Sequence, residues 1–322
     1  MPPAPAPDPR WPRAADWLDR GDDDPQLLVL GLPTSTASIS PSEAWRTPAA
    51  LREVLRRFST YDGERDLDLE GLRVRDLGDL DLATLAPVDA LRAIERAVAD
   101  LDPGPVAVFL GGDNVVTAPI VAAHRAAPIE RTGVVTFDAH HDVRDYDSGA
   151  PRARGAGSDA PRARGDVPSN GAPIRWLLDH GLPGDQVVQI GIHGHANSRA
   201  YRRLCDEVGI RVITVDEVER RGIETVVTEA LDDLAARTDA VHVDLDIDVL
   251  DRAFAPGCPG ARPGGLTPRQ LTAGAHRCAA HPAVRTVDLV EVDPTADVAD
   301  ITVMNLAATF LAVATGIATR PR

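Results

Sequence analysis

The sequence predicts an α/β fold in which a mostly parallel central sheet is covered by helices on both faces. Short runs rich in Val, Leu and Ile alternate along the chain with longer amphipathic segments, and this alternation is typical of βαβ units. The 322 residues, of which 43% are hydrophobic and 26% charged, have the composition of a folded protein and suffice for one large domain.

Each apolar run is predicted as a strand because it is short and rich in β-branched residues. These strands cover residues 26–32, 106–112, 133–139, 186–192, 210–215, 240–248 and 284–292. Segments with apolar residues at three- and four-residue spacing are predicted as helices, and they cover residues 42–58, 87–101, 117–127, 198–208, 223–236 and 267–280. Ligands of such sheets bind beyond the carboxyl ends of the strands.

Two segments depart from this alternation. Residues 1–20 are rich in Pro and Ala and are predicted to form an N-terminal arm, which leaves residues 21–322 as a single domain. Residues 147–170 contain the sequence APRARG twice and are predicted to form a flexible insertion, either a plain surface loop or a lid over a site.

Composition excludes several kinds of function. The formal net charge of -15 leaves no basic surface for nucleic acid or an anionic membrane. We expect a cytoplasmic protein, because no apolar run approaches the roughly 20 residues of a membrane helix and the N-terminus lacks the apolar region of a secretory signal. The chain has no lysine, which excludes Schiff-base chemistry and P-loop phosphate binding.

The segment AVHVDLDIDVLD carries three alternating carboxylates. On a strand, Asp244, Asp246 and Asp248 would lie on one face. Because unpaired carboxylates are costly to bury and repel one another, a divalent cation would stabilise them.

A second cluster, FDAHHD, follows the run GVVTF. Asp138, His140 and Asp142 occupy alternate positions there, where a strand passes into a loop. A solvated acidic strand end is the alternative for either cluster alone. Carboxylates with one imidazole suit Mn²⁺ better than Zn²⁺ or Ca²⁺.

Two further strand ends carry polar residues. GGDN places Asp113 and Asn114 before a helix, as site residues or as a helix cap. EVDP places Glu291 and Asp293 after the last strand, facing either a substrate or solvent.

In this order, the motifs GGDN, DAHHD, DLDIDVLDRAFAPGCPGARPGGL and EVDP resemble those of the ureohydrolase superfamily of arginases, agmatinases and formimidoylglutamases. The resemblance runs from SPSEAWRTPAALREVL to the C-terminal helix. It implies a three-layer α/β/α arginase-like fold, two Mn²⁺ ions per chain, hydrolysis of a C–N bond in a guanidino or formimidoyl group, and a trimer or hexamer.

The resemblance also implies roles for individual residues. Asp138 and Asp246 would bridge the two ions, Asp142 would relay a proton to the departing nitrogen, and Glu291 would hold the cationic nitrogens of the substrate. The implied metal ligands are Asn114, Asp138, His140, Asp142, Asp246 and Asp248.

The chain departs from most of the superfamily at Asn114, where others have a histidine ligand. A neutral amide oxygen is a weaker ligand than imidazole, so we expect the first ion to bind loosely. Arginases and agmatinases also have a histidine where this chain has Asn170, whereas formimidoylglutamases lack it.

The stretch GIHGHANSRAYRRLCDEVGI also resembles formimidoylglutamases. The predicted substrate is therefore N-formimidoyl-L-glutamate, contacted by Asn170, Asn197, Arg144 and Arg199, with the two arginines as partners for its carboxylates.

Two alternatives remain at this stage. One is an amidinohydrolase acting on guanidinobutyrate, agmatine or arginine. The other is a metal-poor, non-catalytic relative that binds a ligand or a partner, suggested by Asn114 and Asn170. Metal content discriminates between them, since two ions per chain favour catalysis.

Overall fold

The computed structural model describes residue 8, residues 10–146 and residues 167–321. Its strands are β1 (Leu27–Leu32), β2 (Tyr61–Asp62), β3 (Leu67–Asp68), β4 (Val74–Asp79), β5 (Val106–Gly111), β6 (Thr132–Phe137), β7 (Val187–Ile192), β8 (Arg211–Thr214), β9 (Ala240–Asp246) and β10 (Val284–Val290). An eight-stranded sheet has the order β4-β1-β5-β10-β9-β6-β7-β8, with every neighbouring pair parallel, and β2 and β3 form a separate antiparallel pair.

Helices cover both faces of this sheet, so the predicted three-layer α/β/α fold is confirmed. They are α1 (Ala14–Leu18), α2 (Thr47–Val54), α3 (Pro87–Asp100), α4 (Thr117–Ala123), α5 (Pro173–Asp179), α6 (Arg199–Val208), α7 (Val215–Arg221), α8 (Ile223–Ala235), α9 (Pro268–Ala280) and α10 (Ile301–Ala318). Val108 belongs to a core cluster that includes residues of α8, α9 and α10, whereas its neighbour Phe109 belongs to a second cluster that includes residues of α3. Strands buried on both faces are apolar throughout, which explains why the sequence shows runs rather than alternation.

The sequence prediction missed several elements that tertiary contacts stabilise. Strand β4 lies at the sheet edge and reads VRDLGD, so its charged residues mask the strand pattern. Helix α1 lies inside the predicted arm, but Trp17 and Leu18 are buried in the core. The arm predicted over residues 1–20 therefore does not extend through Ala14–Leu18, because these apolar side chains pack against the domain.

The predicted insertion over residues 147–170 lies mostly outside the described residues, which resume at residue 167. Both APRARG repeats fall in the part that is not described.

Helix α10 corrects the expectation that no apolar run approaches membrane-spanning length. Its 18 residues have a mean hydropathy of 1.8, long and apolar enough to cross a membrane, but 67% of the stretch is buried inside the protein. A Cβ at Gly316 would lie 2.5 Å from the carbonyl oxygen of His276, so the helix packs closely on α9. This burial is the property of a core helix.

Candidate active site

The four polar motifs lie at the carboxyl ends of four adjacent central strands, β5, β10, β9 and β6. Because all strands are parallel, their carboxyl ends lie together, as the sequence analysis expects. A cavity of about 270 Å³ opens above these ends. Acidic residues line its floor: Asp142, Asp246, Asp248 and Glu291, together with His140.

The end of β6 and the turn after β9 form the tightest cluster. His140 Nδ1 lies 2.8 Å from Asp248 Oδ2 and 3.5 Å from Asp138 Oδ1. Potential ligand atoms of these three residues all lie within 4.8 Å of one another. The group has the composition and spacing of a metal site.

The carboxylates of β9 do not follow one continuous strand. The strand ends at Asp246, and Ile247–Val249 form a 3₁₀ turn in which the backbone N–H of Asp248 donates to Asp246 Oδ1 at 2.8 Å. Asp248 therefore reaches the cavity from the turn, because the local hydrogen bond overrides the strand alternation. Asp244, which the alternation places beside them, is buried and does not line the cavity.

The carboxylates have strongly perturbed acidities. Burial, followed by repulsion from Asp248, raises the pKa of Asp138 to about 7. The same two causes raise the pKa of Asp246 well above its usual value, and for Asp142 the repulsion comes first from Asp138. Without a cation, burial and mutual repulsion therefore favour the protonated forms of these side chains, and a bound cation would favour their carboxylate forms.

The pKa values of His140 and Asp248 shift in the directions that favour their charged forms. Burial by itself would raise the pKa of Asp248, but contact with His140 outweighs it and holds that pKa below its usual value. Burial by itself would lower the pKa of His140, but Asp248 and Asp138 raise it to about 11. The two side chains form a buried ion pair, and a cation at this position would have to displace the imidazole proton.

Asn114 joins this cluster through its amide nitrogen. A close backbone approach after β5 brings it there, since a Cβ at Gly112 would lie 1.6 Å from the Thr34 carbonyl oxygen. Asn114 Nδ2 donates to Asp142 Oδ2 at 2.7 Å and lies 3.4 Å from Asp138 Oδ2, while Oδ1 faces Thr117. The residue lies where the sequence analysis predicts a ligand, but its ligating oxygen points away from the carboxylates.

Glu291 is held in a left-handed backbone conformation, with φ of 68°. Its Oε1 accepts from the Asn114 backbone N–H at 2.8 Å and from Asn170 Nδ2 at 2.9 Å. Burial raises the pKa of Glu291 to about 7 although these two hydrogen bonds oppose the rise. Non-glycine residues with positive φ are frequent at functional sites, and Asp142, with φ of 51°, is another here.

Asp113 and Asp293, the remaining acidic residues of the strand ends, accept hydrogen bonds from the loop after β1. Asp113 Oδ2 accepts from Ala37 N–H and from the Ser38 hydroxyl, and burial followed by Glu291 raises its pKa to about 8. Asp293 accepts the backbone N–H of Glu43 at 2.9 Å. Both carboxylates therefore fix the loop that begins after β1.

Asn197 and Asn170, which are predicted to contact the substrate, also form hydrogen bonds within the protein. Asn197 bridges the loop after β6, accepting the His141 N–H at 2.9 Å and donating to the Ala139 carbonyl at 2.9 Å. Asn170 accepts the Ile39 N–H at 2.9 Å through Oδ1. Both still line the cavity, so each is placed both to position a neighbour and to meet a ligand.

Of the predicted arginines, Arg144 lines the cavity and Arg199 does not. Arg199 is exposed at the first position of α6, whereas Tyr201, two residues later, lines the cavity. The sequence analysis missed Arg262, which also lines the cavity and whose Nη1 donates to the Gly260 carbonyl at 2.8 Å. Its only sequence signal was its position within the long motif after β9.

Comparison with known proteins agrees with this geometry. The family model of the Arginase family matches residues 25–315. The chain is 37% identical to a formimidoylglutamase of Halalkalibacterium halodurans over 278 residues, which cover 85% of this chain and 82% of that protein.

Solved structures show the same relationship. The crystal structure of formimidoylglutamase from Bacillus subtilis is similar with a TM-score of 0.87 and 30% identity, covering 100% of this chain and 97% of that one. Trypanosoma cruzi formiminoglutamase, whose crystal structure is described with Mn²⁺, has a TM-score of 0.79 and 22% identity over 97% of this chain and 100% of that one, a similarity of fold. The matched family, the near relatives and the four motifs at one sheet edge establish that this chain belongs to the arginase family of hydrolases.

Proposed function

We propose that this protein hydrolyses N-formimidoyl-L-glutamate to L-glutamate and formamide, using two divalent ions, most suitably Mn²⁺. The observation that carries the proposal is the charge distribution of one cavity: a buried acidic floor below a rim with two arginines. A cationic amidine would bind at the floor, and the carboxylates of the same molecule would meet the rim.

The donor set fits metal ions. Asp138, Asp142, Asp246 and Asp248 are all buried, and their main cationic neighbour is His140. Buried like charges are strongly unfavourable without a cation. The names of the relatives and the Mn²⁺ of the Trypanosoma cruzi protein add support.

The proposed ligands divide between the two ions. Asp138 and Asp246 would hold both ions, His140 and Asp248 would hold one of them, and Asp142 with Asn114 would hold the other. Bound divalent ions would supply Lewis acidity and lower the pKa of water enough to give a nucleophile at neutral pH.

The protein groups act on the substrate itself. Glu291 binds the amidine nitrogens: Oε1 is occupied by its two donors, which leaves Oε2 for a substrate N–H. Asp142 lines the cavity floor beside the proposed metal ligands and would relay a proton to the departing nitrogen of glutamate.

The rim favours an acidic amidine over agmatine, whose far end is cationic. Arg144 and Arg262 line the cavity, and guanidinium groups bind carboxylates in bidentate fashion. A guanidino acid would satisfy the same rim, so it is the second candidate. The non-catalytic alternative is less well supported, because all the carboxylates of the predicted site come together.

The test is a parallel assay of Mn²⁺-loaded protein with N-formimidoyl-L-glutamate, 4-guanidinobutyrate, agmatine and arginine, each with a chelated control. We expect metal-dependent turnover of N-formimidoyl-L-glutamate. Arg262→Ala should raise KM roughly 10- to 100-fold, the effect of losing one charge-assisted hydrogen bond. Arg199→Ala is the matched control and should leave KM unchanged.

Preference for agmatine, or equal KM values in both variants, would contradict the proposed orientation. Turnover of 4-guanidinobutyrate alone would keep the mechanism and replace the substrate. Silence on all four substrates with Mn²⁺ bound would point to another amidine or guanidine as the substrate, whereas silence without bound Mn²⁺ would favour the metal-poor, non-catalytic alternative.

A further inference from the structure

A row of buried polar side chains lies behind the cavity floor, and the proposed mechanism does not use it. Thr117, the first residue of α4, has its Oγ1 2.8 Å from Asn114 Oδ1 and 2.9 Å from Asp288 Oδ2. Asp288 Oδ2 in turn lies 3.3 Å from His242 Nε2. All four residues are at most 1% exposed.

Thr117 cannot donate to both of its neighbours, because a hydroxyl group carries a single proton. With Oδ1 of Asn114 facing it, as here, Thr117 donates to that oxygen. Asp288 Oδ2 then receives no proton from Thr117 and retains only the longer contact of 3.3 Å with His242 Nε2, and a poorly satisfied buried acceptor is costly.

Reversing the amide of Asn114 would give Thr117 a donor and free the hydroxyl proton of Thr117 for Asp288. Nδ2 would donate to Thr117 Oγ1, and Thr117 would donate to Asp288. The amide oxygen would then point toward Asp138 and Asp142, which is unfavourable next to bare carboxylates and favourable next to a cation.

The observed orientation suits the protein without a cation. Nδ2 donates to Asp142 Oδ2 at 2.7 Å and so offsets part of the repulsion within the floor. The two orientations of one amide thus match two states of the site, and Thr117 is the group that can accept or donate to suit either one.

We propose that Thr117 is a positioning residue that allows the Asn114 amide to turn over when a divalent ion binds, with Asp288 accepting the hydroxyl proton in the ion-bound arrangement. The proposal rests on the metal site of the proposed function. It gives the threonine hydroxyl, rather than Asn114 alone, control over the affinity of the more weakly held ion.

Calorimetric titration of the metal-free full chain with Mn²⁺ tests this. Thr117→Val removes the hydroxyl and should weaken the weaker binding step about 10- to 100-fold, the usual cost of losing a group that orients a metal ligand. Thr117→Ser keeps the hydroxyl and should restore the affinity to within about threefold of wild type. Thr309→Val is the matched control, since Thr309 is equally buried but donates to Asn305 within α10.

A double-mutant cycle separates positioning from folding. In an Asn114→Ala background, Thr117→Val should have no further effect on Mn²⁺ affinity. Equal affinities of wild type and Thr117→Val, equal weakening by Thr309→Val, or an undiminished effect in the Asn114→Ala background would each overturn the inference alone. Absence of Mn²⁺ binding by the wild-type chain would overturn the inference and the proposed metal site together.

Discussion

Carboxylates at the two ends of the same parallel strands differ in their burial and in their ion pairing. At the carboxyl ends, Asp138, Asp142 and Asp246 are buried, and among the described residues none of them forms an ion pair with an arginine. At the amino ends, Arg237 reaches both Asp233 and Asp185 on the surface. Buried acids without arginine partners lower the stability of the metal-free fold, and proteins retain such groups where function requires them.

The largest effect should come from Asp246→Asn at the carboxyl ends. Losing this carboxylate should reduce metal-dependent turnover on the order of 10³-fold, at least the loss known for one donor that stabilises a transition state. The chelated variant should nevertheless be more stable than the chelated wild type, by about 0.5–2 kcal/mol, because one of several repelling buried charges is removed. Steady-state kinetics and denaturant unfolding measure the two quantities.

Asp244→Asn is the matched control for Asp246→Asn. Asp244 lies two residues away on the same strand but does not line the cavity. Its pKa is also raised well above the usual value, first by burial and then by Asp288. The Asp244→Asn variant should gain similar stability and lose far less turnover. Equal losses of turnover in both variants would contradict the proposed distinction between the carboxylates that line the cavity and Asp244, which is buried behind them.

The next largest effect should come from His124, which is buried beside Thr132 at the amino ends of the strands. Burial, with a smaller contribution from His242, lowers the pKa of His124 from its usual 6.5 to about 4. Its contribution to stability is therefore complete above pH 6.5 and is lost as the pH falls toward 4, by about 3 kcal/mol at most. The raised pKa values of Asp138 and Glu291 act in the opposite direction. The loss should therefore appear as a difference in urea unfolding between the chelated wild type and chelated His124→Gln, which should grow in favour of the variant as the pH falls across this range.

An equal loss of stability between pH 6.5 and 4 in His124→Gln would contradict this assignment, and the floor carboxyl groups could not explain it, because their raised pKa values stabilise the folded protein as the pH falls.

The smallest effect should come from Arg237→Ala. Its ion pairs are partly exposed, with side-chain exposures of 35% for Arg237 and 48% for Asp233, and such pairs contribute below about 1 kcal/mol. We expect a change of that size in the free energy of unfolding and no change in turnover. A larger loss in the free energy of unfolding would show that ion pairs at the amino ends of the strands also contribute substantially to stability.

The strand prediction succeeded where burial on both faces leaves an apolar run in the sequence. It missed β4, whose edge position permits Arg75 and Asp76. The helical periodicity did not predict α10, whose apolar residues surround the helix, and only the family resemblance indicated a C-terminal helix. The predicted ligands came together because four parallel strands end at one edge. Their roles remain predictions.

The sequence by itself determined the fold class, the family and the acidic residues that gather at one edge, because strand periodicity and motif order are local properties of the chain. Only the tertiary structure decided that Asp248 enters from a turn, that Arg262 rather than Arg199 lines the cavity, and that the Asn114 amide nitrogen faces the carboxylates. The position of Asn114 depends on contacts between residues far apart in sequence, such as those with Glu291 and Asp142, which no local pattern encodes. The turn at Asp248 depends on a local hydrogen bond to Asp246 that strand periodicity does not reveal.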